Sequence, residues 1–103
     1  MRVESQFLNR ILYIRPNGEI DEYNAALARR EVDKMAEEYA AVAQRVVFDL
    51  GEISFMDSTG IGFLIGRYKK LKSFNLPAYI TGASFSTEKV IELAGLYGIM
   101  PKY

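Results

Sequence analysis

Arg45-Val46-Val47-Phe48-Asp49-Leu50-Gly51-Glu52-Ile53-Ser54-Phe55-Met56-Asp57-Ser58-Thr59-Gly60-Ile61-Gly62 is the stretch that decides the fold. Arg45 to Leu50 is rich in β-branched and aromatic residues and reads as a buried strand. Gly51-Glu52 turns the chain, and Ile53 to Met56 carries it to Asp57. From about Thr59 to Lys72 the period changes. Ile61, Leu64, Ile65, Tyr68 and Leu71 recur on one helical face. Arg67, Lys69, Lys70 and Lys72 crowd the last turns, where cations complement the negative end of the helix dipole. We expect Val46 to Leu50 to be a central strand, with this helix packed on the sheet through Leu64, Ile65 and Tyr68.

The flanks repeat the theme. Upstream, Phe7 to Ile14 reads as a strand buried on both faces, or nearly so, and Asn9-Arg10 suits a tight turn that pairs it with the residues from Arg2 onward. Pro16-Asn17-Gly18 stops the run, because proline cannot donate to a ladder and Asn-Gly favours a turn. From about Glu22 to Ala41, Ala28, Val32, Met35, Ala36 and Tyr39 recur at helical spacing, with Asp21 or Asn24 as the cap. Downstream, Ala78 to Thr81 is a short strand ended by Gly82. Ser86 or Thr87 caps a third helix through Val90, Ile91, Leu93 and Ala94, which ends near Gly95 or Gly98. The order ββαβαβα predicts an α/β fold, a small mixed sheet with helices packed mainly on one side.

Composition narrows the function. The 103 residues are expected to form one domain. Thirteen basic residues cancel thirteen acidic ones, which argues against a protein that binds nucleic acid directly through surplus positive charge. The absence of cysteine and histidine removes thiolate metal sites, cysteine nucleophiles and the commonest general base. No cofactor, metal site or enzymatic activity is expected. No run approaches the roughly 20 apolar residues of a membrane span, and the first residues lack a signal region, so a cytoplasmic location away from membranes is expected.

One segment stands out as functional. Asp57, Ser58 and Thr59 lie between a strand and a helix, at the strand end where α/β sheets usually meet ligands and partners. The unpaired N–H groups of the helix start favour negative charge, so a phosphate on Ser58 or Thr59 is electrostatically acceptable there. The plainer reading is a helix cap. Gly60 and Gly62 each cost the helix roughly 1 kcal/mol relative to alanine, which asks for close packing or for close approach of another molecule. An alternative reading takes Gly60-Ile61-Gly62-Phe63-Leu64-Ile65-Gly66 as the glycine-rich start of a small nucleotide-binding domain. Against it, the third glycine falls one residue late for a dinucleotide turn, and no acidic residue follows at the required distance.

These residues resemble a known family. Val47-Phe48-Asp49-Leu50, Ile53 to Gly62 and Gly66-Arg67-Tyr68-Lys69 look like the STAS domain of bacterial anti-sigma factor antagonists, most of all its sporulation branch that acts on the anti-sigma F factor. Gly18-Glu19-Ile20-Asp21 is similar to the family's turn before its first helix, and Leu93-Ala94-Gly95-Leu96 to its step after the third. The resemblance implies an STAS-type mixed sheet and a switch rather than an enzyme. The unphosphorylated protein would bind a kinase-type anti-sigma factor and free the sigma factor. Phosphorylation of Ser58 by that kinase would release it, and a serine phosphatase would restore it. The resemblance gives partner contact to Asp21, Asp57, Thr59, Gly60, Ile61 and Gly62; Arg67 and Lys69 could add a rim contact, although charges at a helix end are more often solvated. Asp21 and Asp57 read equally as caps, and Ile61 as core. Thr59 offers a second hydroxyl beside Ser58. The family also continues into another helix after the Gly-Leu step, for which the residues up to Tyr103 leave no room.

Overall fold

The computed structural model describes residues 1–103. Its elements run β1 (Arg2–Leu8), β2 (Ile11–Ile20), α1 (Glu22–Tyr39), β3 (Arg45–Asp49), β4 (Ile53–Met56), α2 (Ser58–Ser73), β5 (Ala78–Thr81) and α3 (Phe85–Leu93), followed by a single 3₁₀ turn at Leu96–Gly98. β1 and β2 form an antiparallel hairpin in which Leu8 pairs with Ile11. The two residues between them, Asn9 and Arg10, have φ of 53° and 63°. That left-handed pair gives the turn the twist a two-residue hairpin needs. α1 and α2 are crossovers: β2 pairs parallel with β3, and β3 parallel with β5. β3 is therefore the central strand, as expected.

The helices cover one face of the sheet. Leu12, Ile14, Val46, Phe48, Ala78 and Ile80 meet Ala28, Val32 and Ala36 of α1, Phe63, Leu64 and Leu71 of α2, and Ile91 of α3 in one cluster. Ile65 and Tyr68 pack at its margin. Burial alternates along β2, with Leu12 and Ile14 buried and Ile11 and Tyr13 only partly so. This corrects the expectation of a strand buried on both faces, because no helix covers the second face. There Tyr13 and Tyr79 meet the ring of Tyr103 at centroid distances of 6.4 and 5.4 Å. After the 3₁₀ turn, Lys102 and Tyr103 lie along β5, where Tyr103 N–H donates to the Ile80 carbonyl at 2.8 Å.

Two further corrections concern β2 and β4. β2 does not stop at Pro16 but runs on to Ile20. Its lower part, Ile11 to Ile14, pairs with β3; its upper part, Gly18 to Ile20, pairs with β4 across a register shift at Gly18/Glu19. Pro16 stands between the two ladders. By the alternation of antiparallel bonds its nitrogen faces away from β1, on the side where the Gly18 N–H reaches the Glu52 carbonyl at 3.0 Å. Proline's missing N–H falls where no strand waits to receive one, so the ladder tolerates it. β4, expected only as a connection, is a strand of its own. At α3 the capping side chain is Ser84, which accepts from the Thr87 N–H at 3.3 Å, and not Ser86 or Thr87.

Candidate functional site

The split of β2 builds the site. Because Ile20 pairs with Met56 in a parallel register, the residues that follow, Asp21 and Asp57, leave the sheet side by side. Each caps a helix. Asp21 Oδ1 accepts from the Asn24 N–H at 2.8 Å, and Asp57 Oδ1 accepts from the Thr59 N–H at 2.9 Å. Asn24 adds a bond from its side-chain amide to the Glu19 carbonyl at 2.9 Å, fixing the entry into α1. Asp21, remote from Ser58 in sequence, thus stands beside the loop that carries it.

The first turn of α2 is open. Asp57 and Ser58 are exposed and Thr59 half-buried. None of the chain's side-chain hydrogen bonds uses the hydroxyl of Ser58 or Thr59; only the Thr59 backbone is engaged. No acidic side chain occupies this first turn beyond the capping Asp57, whereas α1 opens on Glu22. The positive end of α2 therefore meets one carboxylate and two unused hydroxyls, a place where added negative charge is stabilised by the helix.

Gly60 and Gly62 have different reasons to be glycine. Gly60 is buried, and a Cβ there would lie 2.0 Å from Met56 Cγ. Gly62 is exposed, and a Cβ there would meet nothing within 4 Å. Gly60 is thus required for packing the helix on β4 and offers a partner no surface. Gly62 is spare of contacts and opens the helix surface. Ile61 between them is half-buried and packs against the core.

Sequence reasoning missed what holds this arrangement in place. Arg67 is not a solvated rim cation: it is 8 % exposed and lies 2.8 Å from Asp33 of α1. Its guanidinium also sits 5.7 Å from the centre of the Phe63 ring. Burial pushes its pKa below the ordinary arginine value, the Asp33 carboxylate works against that shift, and Arg29 adds to it. A second, more exposed pair joins Lys70 to Glu37 at 3.3 Å. These pairs tie α2 to α1 and so hold their two capped starts together. Lys69 remains exposed. Tyr23, just inside α1, and Phe55, on β4, are large side chains left 74 % and 52 % exposed. The only sequence signal for them was their nearness to Asp21 and Asp57. No group of three or more acidic residues is arranged to hold a metal ion, and no helix is long and apolar enough to cross a membrane.

Known proteins share this fold. The family model described as the STAS domain matches residues 2–103. An anti-sigma F factor antagonist of Paenibacillus polymyxa is 25 % identical over 103 residues, covering 100 % of this chain and 86 % of that protein. An anti-sigma-B factor antagonist of Staphylococcus aureus is 25 % identical over 100 residues, covering 97 % and 90 %. Among solved structures, the unphosphorylated form of the anti-sigma factor antagonist SpoIIAA superimposes with a TM-score of 0.76 at 22 % identity, over 99 % of this chain and 88 % of that one. An anti-sigma factor antagonist from Mycobacterium paratuberculosis gives 0.84 at 22 % identity, over 99 % and 84 %. These likenesses between structures concern the fold.

Proposed function

The chain belongs to the STAS domain family, and from that premise we propose that it is an anti-sigma factor antagonist switched by phosphorylation of Ser58. Unmodified, it binds a kinase-type anti-sigma factor in the cytoplasm and frees the sigma factor. The same kinase phosphorylates Ser58, the complex parts, and a serine phosphatase resets the protein. The chain acts by binding and catalyses nothing itself. Asp21, Asp57, Thr59, Ile61 and Gly62 form the contact surface around the acceptor, while Gly60 supports it from beneath.

The observation that carries this reading is the state of Ser58. It is exposed, at the first position of a helix, with a hydroxyl that no neighbour uses. A kinase can reach it without unfolding anything. The curated relatives bear the names of anti-sigma factor antagonists, which is where the partner class comes from. Phosphate would add about 1.5 to 2 negative charges and three acceptor oxygens. The start of α2 stabilises that charge, so the fold survives modification. Asp21 and Asp57 already stand there, however, and a docked partner would have to bury three anionic groups together. The cost of stripping water from them falls on the complex and not on the free protein.

The test is to incubate the chain with its cognate anti-sigma factor and ATP and to read the product by intact mass and peptide mapping. One phosphate on Ser58 is expected, with loss of binding in a pull-down. Ser58→Ala should take up no phosphate and still bind. Phosphate retained by Ser58→Ala and lost from Thr59→Ala would move the acceptor by one residue. Equal binding by modified and unmodified protein would remove the switch.

A further inference from the structure

The sheet closes one of its edges and leaves the other open. On the outer side of β5, the Ile80 N–H donates to the Pro101 carbonyl at 3.0 Å, and the Ile80 carbonyl accepts from Tyr103. β1 has no such cover. Its ladder to β2 alternates, and Pro16, opposite Val3, has no N–H to give it. Val3, Ser5 and Phe7 are therefore the residues whose backbone groups point away from β2. No backbone hydrogen bond outside the ladders reaches them. Strand edges are ordinarily blunted by proline, lysine, a bulge or a covering segment. β1 runs Arg2-Val3-Glu4-Ser5-Gln6-Phe7-Leu8 without proline, lysine or a break in register.

An open edge alone would fit many strands. The second observation is that this one complements itself. Antiparallel pairing of β1 with its own copy engages Val3, Ser5 and Phe7 together in one register only, centred on Ser5. Val3 of one copy then faces Phe7 of the other, Ser5 faces Ser5, and each pair exchanges both N–H···O bonds. A centre on Glu4 loses Phe7 and sets two carboxylates directly opposite. A centre on Gln6 loses Val3. The register on Ser5 opposes no like charges. Glu4 faces Gln6, and Arg2 faces Leu8, whose half-exposed side chain the arginine stem can cover. Glu4 is also held within its own copy, by Arg2 at 3.6 Å and by the Asn17 amide at 2.9 Å. On the helix face, Val3 and Phe7 lie half-buried at the margin of the core, with Phe7 against the Tyr39 ring at 4.6 Å. Their pairing carries that core across the axis. α1 packs over β1 and β2 together, so roughly two strand spacings, about 10 Å, separate it from its copy, and helices pack at that distance.

We infer that β1 pairs with β1 of a second copy of this chain, joining two sheets into one through a two-fold axis at Ser5. One strand a side is a small contact, so the association is weak and depends on concentration. β1 and β4 flank β2 on opposite sides. The pairing therefore leaves Ser58 and its neighbours free in both copies. Such a dimer presents two acceptor loops, and a phosphate on either does not touch the shared edge.

Sedimentation equilibrium of the full chain, from micromolar to millimolar concentration, should show a monomer passing into a dimer. Gln6→Glu sets a carboxylate opposite Glu4 and should weaken association about five- to tenfold, because the axis repeats the contact; Gln6→Lys should tighten it by a similar factor. Circular dichroism of dilute samples should find both variants folded like wild type, since Gln6 is exposed. Cysteine substitutions read the register directly, because the chain has no cysteine of its own. Residues paired across such a ladder stand about 5.5 Å apart at Cα, within disulfide reach. Under mild oxidation Ser5→Cys should therefore crosslink several times faster than Gln6→Cys. A chain that stays monomeric at millimolar concentration overturns the pairing. A dimer indifferent to both charge variants, or one that crosslinks as fast through Gln6→Cys, joins by another surface or register and overturns it too. Protection of the Val3, Ser5 and Phe7 amides from hydrogen exchange only when the anti-sigma factor is added gives the edge to that partner instead.

Discussion

The two halves of α2 belong to one helix and come to opposite uses. Ser58, Thr59 and Gly62 form an open edge: the hydroxyls are unengaged, and a Cβ on Gly62 would meet nothing within 4 Å. Phe63 to Leu71 carries the charges expected of a solvated surface, yet Arg67 is buried and paired across to α1. The difference lies in the neighbour. The first half emerges beside another helix start, where backbone donors and water compete for each polar group. The second half lies against the middle of α1, where Asp33 waits. A residue's polarity sets what it needs, and the opposing element decides whether it finds that need inside the protein or outside.

The comparison can be broken at four points. Arg67→Ala should have the largest effect, because it removes one partner of a buried ion pair together with the stem that packs beside Phe63. Breaking such pairs costs about 3–5 kcal/mol when both charges are enclosed; with Asp33 a quarter exposed, about 2–3 kcal/mol is expected in urea denaturation. A loss below about 0.5 kcal/mol would mean that the clamp does not hold the helices. Gly60→Ala comes next. Overpacking against Met56 costs about 1–3 kcal/mol, and helix propensity returns about 1 kcal/mol, so a net loss of up to about 2 kcal/mol is expected.

Gly62 sharpens the contrast from the other side. Gly62→Ala should stabilise the chain by up to about 1 kcal/mol, since the position has room and the backbone gains helix propensity. Gly62→Asp should fold equally well and bind the anti-sigma factor at least about tenfold more weakly, because a carboxylate then enters the docking surface. An unfolded Gly62→Asp would place this glycine with Gly60 and erase the distinction. The smallest effect on stability belongs to Ser58→Ala. The capping oxygen comes from Asp57 and the Ser58 hydroxyl has no partner, so a thermal melt should shift by no more than about 0.5 kcal/mol in stability.

Much of the frame was legible because its signals are local. The helices at Glu22–Tyr39 and Ser58–Ser73 and the strand at Arg45–Asp49 follow from periodicity, and the hairpin turn from Asn9-Arg10. The losses have one common source, the distant partner. Reading Pro16 as a stop also hid β4, since β4 finds its ladder only on the part of β2 beyond that proline. The neighbourhood of Asp21 and Asp57 depends on that same pairing, so sequence spacing could suggest two caps without bringing them together. Ser84, Ser86 and Thr87 all offer hydroxyls near one helix start, and only the backbone path selects Ser84. Arg67 looks like any cation near a helix end until α1 is laid against it.

Pro16 has a consequence for how a sheet can fork. A strand that hands over from one neighbour to another must pass a gap in which its amide faces neither. In a buried stretch that amide would be orphaned, at about 1–3 kcal/mol. Pro16 is buried in this gap and brings no amide to orphan. The branch that carries Ser58 can therefore leave the main ladder past a buried residue without leaving an amide unpaired there. The imino acid works here as an insulator between two circuits, and it lets one strand serve the core below and the docking edge above.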